Sequence, residues 1–371
     1  MSVAEFRAGA AAWLAEHRSD APPDYGAITP PDLVDHAVRW HRELHGAGYA
    51  AIHWPVEFGG QGLTREHTSA WQGACATAGV PAAFNMVGLV LTAEALLRHG
   101  TAVQRAEHLP PTACADRLWC QLFSEPSAGS DLASLSTRAE RDGDRYLVNG
   151  QKVWCSGGRY SDWGILLART DPAAPPHQGI SCFMVDMRSP GIEVRPLRQM
   201  TGDAEFDDVF ITDVEVPADH LIGPEHGGWQ VAMAVLGDER GHIGAAAAGL
   251  ERRLAALVPD GAERIDDPIR RDRVATLLCR GRSLTSLAAR AGGGDESHPG
   301  LAGSLLKLGI TELSFDLAME AGTGAGMASV VEGGRASAML AAPGGRIAGG
   351  TSQVQRNIIG ERILGLPRAP R

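Results

Sequence analysis

Three segments of this 371-residue sequence carry residue types and spacings that could do chemistry. The first is Gln121-Leu122-Phe123-Ser124-Glu125-Pro126-Ser127-Ala128-Gly129-Ser130-Asp131. It leaves a predicted strand and enters a loop of small residues. Such a loop offers backbone N–H groups and hydroxyls, the donors that a phosphate or pyrophosphate needs. The second is Val153-Trp154-Cys155-Ser156-Gly157-Gly158. A tryptophan beside a small hydroxyl residue can stack on a flat heterocycle while the hydroxyl bonds a ring nitrogen. The third is Gly349-Gly350-Thr351-Ser352-Gln353-Val354-Gln355-Arg356-Asn357-Ile358-Ile359, a glycine pair feeding a helix start that Thr351 can cap. Read singly, these are a polar loop, a core tryptophan and an ordinary N-cap.

Other signatures point nowhere. Gly322-Thr323-Gly324-Ala325-Gly326 lacks the third glycine of a dinucleotide fingerprint and follows no strand. Ser304-Leu305-Leu306-Lys307 fits SxxK without its partner motifs. His36, His41 and His45 share one helix, but Glu43 stands one position late for a zinc-binding HExxH, so a solvated helix face is the better reading and no metal is expected.

The elements that must position the three segments follow from periodicity. Residues 1–118 read as helices; 32–45, after Pro30-Pro31, has apolar positions near helical spacing. From Asp116 to about Glu225 the chain reads as strands. Asp142-Gly143 and Asn149-Gly150 are expected as two-residue hairpin turns joining strands over 136–141, 144–148 and 151–156. Further strands are expected at 164–170 and 180–187, and one or two more from Phe206 to Val216. After Gly227-Gly228 the chain returns to helices over 229–258, from Asp267-Pro268 onward, over 301–320 and over 351–364. The expected domains are 1–118, 119–226 and 227–371.

Composition narrows the function. With 44% hydrophobic and 21% charged residues, the chain has ordinary globular character. A net charge of −10 with no basic block argues against nucleic-acid or anionic-membrane partners. Six cysteines without a CxxC pair read as reduced, mostly buried thiols of a cytoplasmic protein. The longest uncharged stretch, 67–93, contains Gln72, Pro81 and Asn85 and does not read as a membrane span. Of 34 lysines and arginines only Lys152 and Lys307 are lysines, which reads as genome composition rather than function.

Taken together, in this order and spacing, the three segments resemble the acyl-CoA dehydrogenase flavoprotein family. The resemblance covers nearly the whole chain. It extends to His53-Trp54-Pro55 with Gly59-Gly60, Asn149-Gly150-Gln151-Lys152, Val214-x-Val216-Pro217, Asp238-Glu239-Arg240 and Leu364-Gly365-Leu366-Pro367-Arg368. It implies an α+β multidomain fold: an N-terminal α-helical domain, a central antiparallel β-barrel and a C-terminal four-helix bundle. It implies FAD, held by the stretch from Phe123 through Ser124 and Gly129 to Ser130, by Trp154, Cys155 and Ser156, and by Thr351 and Gln353. It also implies dehydrogenation of an acyl thioester to its trans-2-enoyl product. A carboxylate removes the α-proton while the β-hydride passes to flavin N5. Ser130 would also touch the substrate, as would Arg240.

The base follows from the same resemblance. Many members carry it just before the Gly-Thr-Ser, where this chain has Gly349. Others, including the isovaleryl-CoA type, place it before an arginine in a C-domain helix, where Glu239 precedes Arg240. Glu239 is therefore expected as the general base; Asp238 lies about 100° away around a helix. Many members also carry an Arg-x-x-Phe-Gly-like segment where this chain has Arg264-Ile265-Asp266-Asp267-Pro268, a form shared with sterol-side-chain dehydrogenases built from two unlike subunits. The implied partners are an acyl-CoA or acyl-carrier-protein thioester, electron-transferring flavoprotein, and further subunits of a homotetramer or homodimer, or a heterotetramer. The competing readings are a flavin oxidase or N-hydroxylase on the same fold, and a subunit that shares its FAD site with a partner.

Overall fold

The helical reading of the N-terminal region holds in a computed structural model, which describes residues 1–25, 28–241, 250, 253–257, 265–292, 299–331 and 334–368. Helices span Val3–His17, Val34–Gly46, Arg65–Ala78, Ala93–His99 and Ala102–Ala113. The first begins at a capping box. Ser2 Oγ accepts from Glu5 N at 3.2 Å, and Glu5 Oε2 accepts from Ser2 N at 2.7 Å. Thr101 and Gln104 repeat that box at the fifth helix. The Gln104 amide then donates to Asp219 O and Leu221 O, tying that helix to the last strand.

The Val34–Gly46 helix buries Ala37, Trp40, His41 and Leu44, a helical stripe at i, i+3, i+4 and i+7. This corrects the expected solvated histidine face. His41 is on the buried stripe and has no exposure, while His36 and His45 are only half-buried.

Eight strands follow: β1 (Trp119–Leu122), β2 (Arg138–Asp142), β3 (Arg145–Ser156), β4 (Trp163–Arg169), β5 (Ile180–Asp186), β6 (Ile192–Leu197), β7 (Phe206–Pro217) and β8 (Leu221–Ile222). They form one sheet in the order β6-β7-β3-β2-β4-β5-β8, with β1 beside β4. Pairing is antiparallel except for β1 with β4 and one residue pair of β2 with β4. Along β4 the side chains alternate between two cores. Ile165 and Leu167 join Leu96, Leu109 and Trp119 on the helical side, while Leu166 and Ala168 join Val148 and Phe183 on the other. Both faces are buried, so β4 reads as a continuous apolar run.

Two turn expectations change. Asn149-Gly150 is not a turn: β3 runs straight through it, with a register shift against β7 between Val148 and Gly150. The glycine serves close approach instead, since a Cβ there would lie 2.3 Å from Thr137 Oγ1. The Asp142-Gly143 hairpin forms one residue later than expected. Asp142 pairs with Arg145, and of the residues between them only Gly143 has positive φ.

The chain divides into two compact units, Met1–Asp238 and Glu239–Arg371. The helix Gly228–Gly241 carries the chain from one to the other. The second unit holds helices Pro268–Gly292, Pro299–Gly324, Gly334–Gly345 and Ser352–Ile358. Its core joins Leu250, Leu254, Val274, Leu277, Leu313 and Leu317. Asp267 caps the first of these helices, accepting from Ile269 N at 2.9 Å with Pro268 at the first helical position. Among the described residues no helix is long and apolar enough to cross a membrane.

Candidate active site

The first two chemistry-bearing segments meet on the first unit. Val153 N donates to Ser124 O at 2.9 Å, so the loop leaving β1 lies against the end of β3. The loop then folds on itself, Glu125 and Ala128 exchanging two backbone hydrogen bonds of 3.1 Å. Glu125 is a hub beneath it. Its carboxylate accepts from Ser136 N (2.7 Å), Ser136 Oγ (2.8 Å), Thr137 N (2.8 Å) and Lys152 Nζ (2.8 Å). Lys152 also donates to Phe123 O at 3.0 Å. Burial pushes the Glu125 carboxyl up, but the Lys152 ammonium and the surrounding donors outweigh it and hold it at about 2. Glu125 and Lys152 both lie in stretches the sequence singled out, the first segment and Asn149-Gly150-Gln151-Lys152, but neither was expected as a site residue.

The end of β3 is shaped for display. Between Lys152 and Cys155 the register against β7 slips, and Trp154 adopts φ +62°. A left-handed tryptophan is a genuine backbone outlier, and such strain persists where a site needs it. The bulge turns the indole outward: Trp154 is 56% exposed, while Cys155 beside it is fully buried in the sheet core. Phe206 braces the indole edge-on at a centroid distance of 5.7 Å. Half-buried Ser156 lines a small cavity with Tyr25, Thr29, Phe84, Met86 and Tyr160. The Phe84–Met86 wall is fixed by Asn85, whose side chain bonds Trp119 N, Trp119 O and Gly88 N.

The expected site residues therefore divide by what they can offer. Phe123 and Cys155 are buried and can contribute only main chain. Ser124, Gly129, Ser130, Trp154 and Ser156 are half-buried or exposed, and the three serine hydroxyls make no hydrogen bond among the described residues. An exposed aromatic face beside unspent hydroxyls and a small-residue loop fits a flat heterocycle carrying a phosphate chain.

On the second unit, Gly349 and Gly350 take φ +63° and +92°, a conformation glycine adopts without a Cβ clash. Thr351 Oγ1 caps the Ser352–Ile358 helix by accepting from Val354 N at 3.2 Å. Lys307 Nζ donates to Gly350 O at 2.6 Å, Gln355 Nε2 to Gly349 O at 3.1 Å and Ser352 Oγ to Glu312 at 2.6 Å. Thr351 is half-buried and Gln353 exposed. Glu239 and Arg240 fall in the last turn of Gly228–Gly241, and their side chains lie outside the described residues.

Three family profiles match successive stretches of the chain. The acyl-CoA dehydrogenase N-terminal domain matches residues 5–116, the middle domain 120–214 and the C-terminal domain 226–364. The chain belongs to the acyl-CoA dehydrogenase family. Acyl-CoA dehydrogenase IpdE1 of Mycobacterium tuberculosis is 36% identical over 381 residues, covering 99% of this chain and 98% of that one. Among solved structures, the Tcur3481-Tcur3483 steroid ACAD is 25% identical with a TM-score of 0.84, covering 99% of this chain and 98% of that one. The ChsE4-ChsE5 complex from Mycobacterium tuberculosis is 26% identical with a TM-score of 0.81, at coverages of 99% and 98%. An acyl-CoA dehydrogenase of this layout has an N-terminal helical part, a middle β part and a C-terminal helical part, as the element order here shows.

Proposed function

We propose that this chain is an FAD-dependent dehydrogenase that converts an acyl-CoA thioester to the trans-2-enoyl thioester and passes electrons to electron-transferring flavoprotein. The observation that carries the reading is Trp154, held outward in a left-handed bulge beside Ser156 and the clamped 124–130 loop. Trp154 and Ser156 would hold the flavin ring, the loop its phosphate chain, and Thr351 with Gln353 its adenosine end. FAD bound there supplies a hydride acceptor.

The protein's own task is the α-proton. We assign its removal to Glu239, with Arg240 and Ser130 orienting the substrate. The α-C–H pair moves onto the α,β bond as the β-hydride leaves, so one proton and one hydride depart together. A free carboxylate is too weak a base for this step. The thioester carbonyl must be polarised by fixed donors, each worth a few kcal/mol. An apolar acyl chain over the carboxylate must raise its affinity for the proton. We read the domains as 1–118, 119–226 and 227–371.

The ChsE4-ChsE5 and Tcur3481-Tcur3483 likenesses, each a pair of differently named chains, support assembly with an unlike subunit. The second of them supports a steroid-type acyl group. An anaerobic titration with short, medium, branched and steroid-type acyl-CoAs tests the proposal: bleaching of the visible flavin band by one class is the expected result. A yellow protein that none of them bleaches, but that consumes oxygen with an amine or nitro substrate, would overturn it.

A further inference from the structure

Among the described residues every arginine is exposed or half-buried, whereas both lysines of the chain are buried. The two lysines also do the same thing. Lys152 Nζ donates to Phe123 O at 3.0 Å, at the start of the loop leaving β1. Lys307 Nζ donates to Gly350 O at 2.6 Å, in the glycine pair before Thr351. Each ammonium thus grips a backbone carbonyl of one of the two loops assigned above to FAD, each within its own unit. Read as genome composition, the scarcity of lysine accounts only for the number of arginines. It does not explain where the two exceptions stand.

We propose that Lys152 and Lys307 are positioning residues for the cofactor, each holding one FAD loop in its binding shape from beneath; the inference rests on the FAD reading. The chemistry explains why arginine does not serve. An ammonium is a compact donor that fits under one carbonyl, with Glu125 Oε1 at 2.8 Å completing the Lys152 site. A guanidinium is planar, wider and carries five N–H groups, a poor match for the Phe123 O and Glu125 Oε1 pair that Lys152 serves. Forced in, it lifts the loop or leaves buried donors unpaired. The loops themselves are rich in small residues that offer little side-chain packing to hold a shape: Ser127, Ala128 and Gly129 in one, Gly349 and Gly350 in the other.

The test is charge-conserving substitution, read on flavin rather than turnover. Lys152→Arg and Lys307→Arg are compared with wild type, each expressed with its partner subunit if the assembly needs one. Measured are flavin per chain, FAD affinity of the stripped protein, and the unfolding midpoint without flavin. FAD affinity should fall about 10–100-fold, by analogy with the loss seen when an outer partner that orients a metal ligand is removed. The flavin-free unfolding midpoint of Lys307→Arg should fall by only a few degrees, so that the lost FAD affinity is read on a folded protein. A second readout needs no variant. With FAD bound, acetic anhydride should label neither lysine, and stripping the flavin should speed labelling of both, because binding and loop order are linked reciprocally. If either lysine's substitution leaves FAD affinity unchanged, or labelling does not depend on flavin, the inference is overturned. A wild-type protein that holds no flavin in any assembly would overturn the FAD reading beneath it instead.

Discussion

Lys152 Nζ lies 2.8 Å from Glu125 Oε1 in an ion pair closed to water, the lysine side chain having no exposure and the glutamate's 2%. Such a pair is costly to break from one side, because the remaining charge is buried without a partner. Glu125→Gln should therefore destabilise the fold by about 3–5 kcal/mol, measured by denaturant unfolding. The pair also sets an acid limit. The Glu125 carboxyl is held at about 2 in the fold against an ordinary 4.5. Its contribution is complete above about 4.5 and is lost as pH falls from there through about 2. Unfolding midpoints across that window should fall more steeply in wild type than in Glu125→Gln; parallel curves would refute the assignment.

His41 acts in a higher window. Phe84 N donates to its Nδ1 at 3.2 Å, so the ring proton sits on Nε2 and bonds Ala113 O at 2.9 Å. Burial, the main cause, lowers its pKa from 6.5 to about 4. A second proton would set Nδ1–H against the Phe84 N–H. The unfolded chain binds protons first, so stability is complete above about 6.5 and falls as pH drops toward about 4, by up to about 3 kcal/mol. His108, also lowered to about 4 by burial and then by Arg117, adds to the same slope. His41→Gln should flatten the dependence of unfolding free energy on pH in this window without abolishing it.

Substitution of Trp154 tests folding and binding apart. Its left-handed backbone costs about 1–3 kcal/mol, which glycine would release. Its edge-on contact with Phe206 returns about 0.5–1.5 kcal/mol. Trp154→Gly should thus leave the flavin-free protein within about 2 kcal/mol of wild type while weakening FAD binding at least tenfold. Calorimetry of the stripped protein and flavin titration measure the two effects. A large loss of stability with unchanged flavin affinity would make Trp154 a folding residue instead.

Glu239→Gln tests the base. The variant should keep its FAD and its visible spectrum yet bleach with acyl-CoA about 10²–10⁴-fold more slowly, the range for removal of a positioned general base. Stopped-flow reduction under anaerobic conditions reads this directly. A rate near wild type would move the role to another carboxylate.

Local order was legible in the residues themselves. Asp267-Pro268 and Thr351 each start a helix as their side-chain chemistry requires. The β4 and β5 runs are strands because their apolar residues are continuous. The succession of helical, β and helical stretches follows from the same patterns, and the three candidate segments were picked out by their small, hydroxyl and aromatic residues. What depended on neighbours distant in sequence was not legible. Asn149-Gly150 has the composition of a turn, yet β3 passes through it, and Thr137, just before β2, takes the space of the missing Cβ. His41 looked like one of three surface histidines until Phe84 N and Ala113 O, more than forty residues away, enclosed it. Lys152 and Lys307 looked like compositional remnants until packing placed each under a loop carbonyl. Sequence determines the preferences of a segment because capping, turn and periodicity energies act over a few residues. Burial and the partners of a buried charge are decided only when remote segments close around it, and in this chain those contacts position the candidate site.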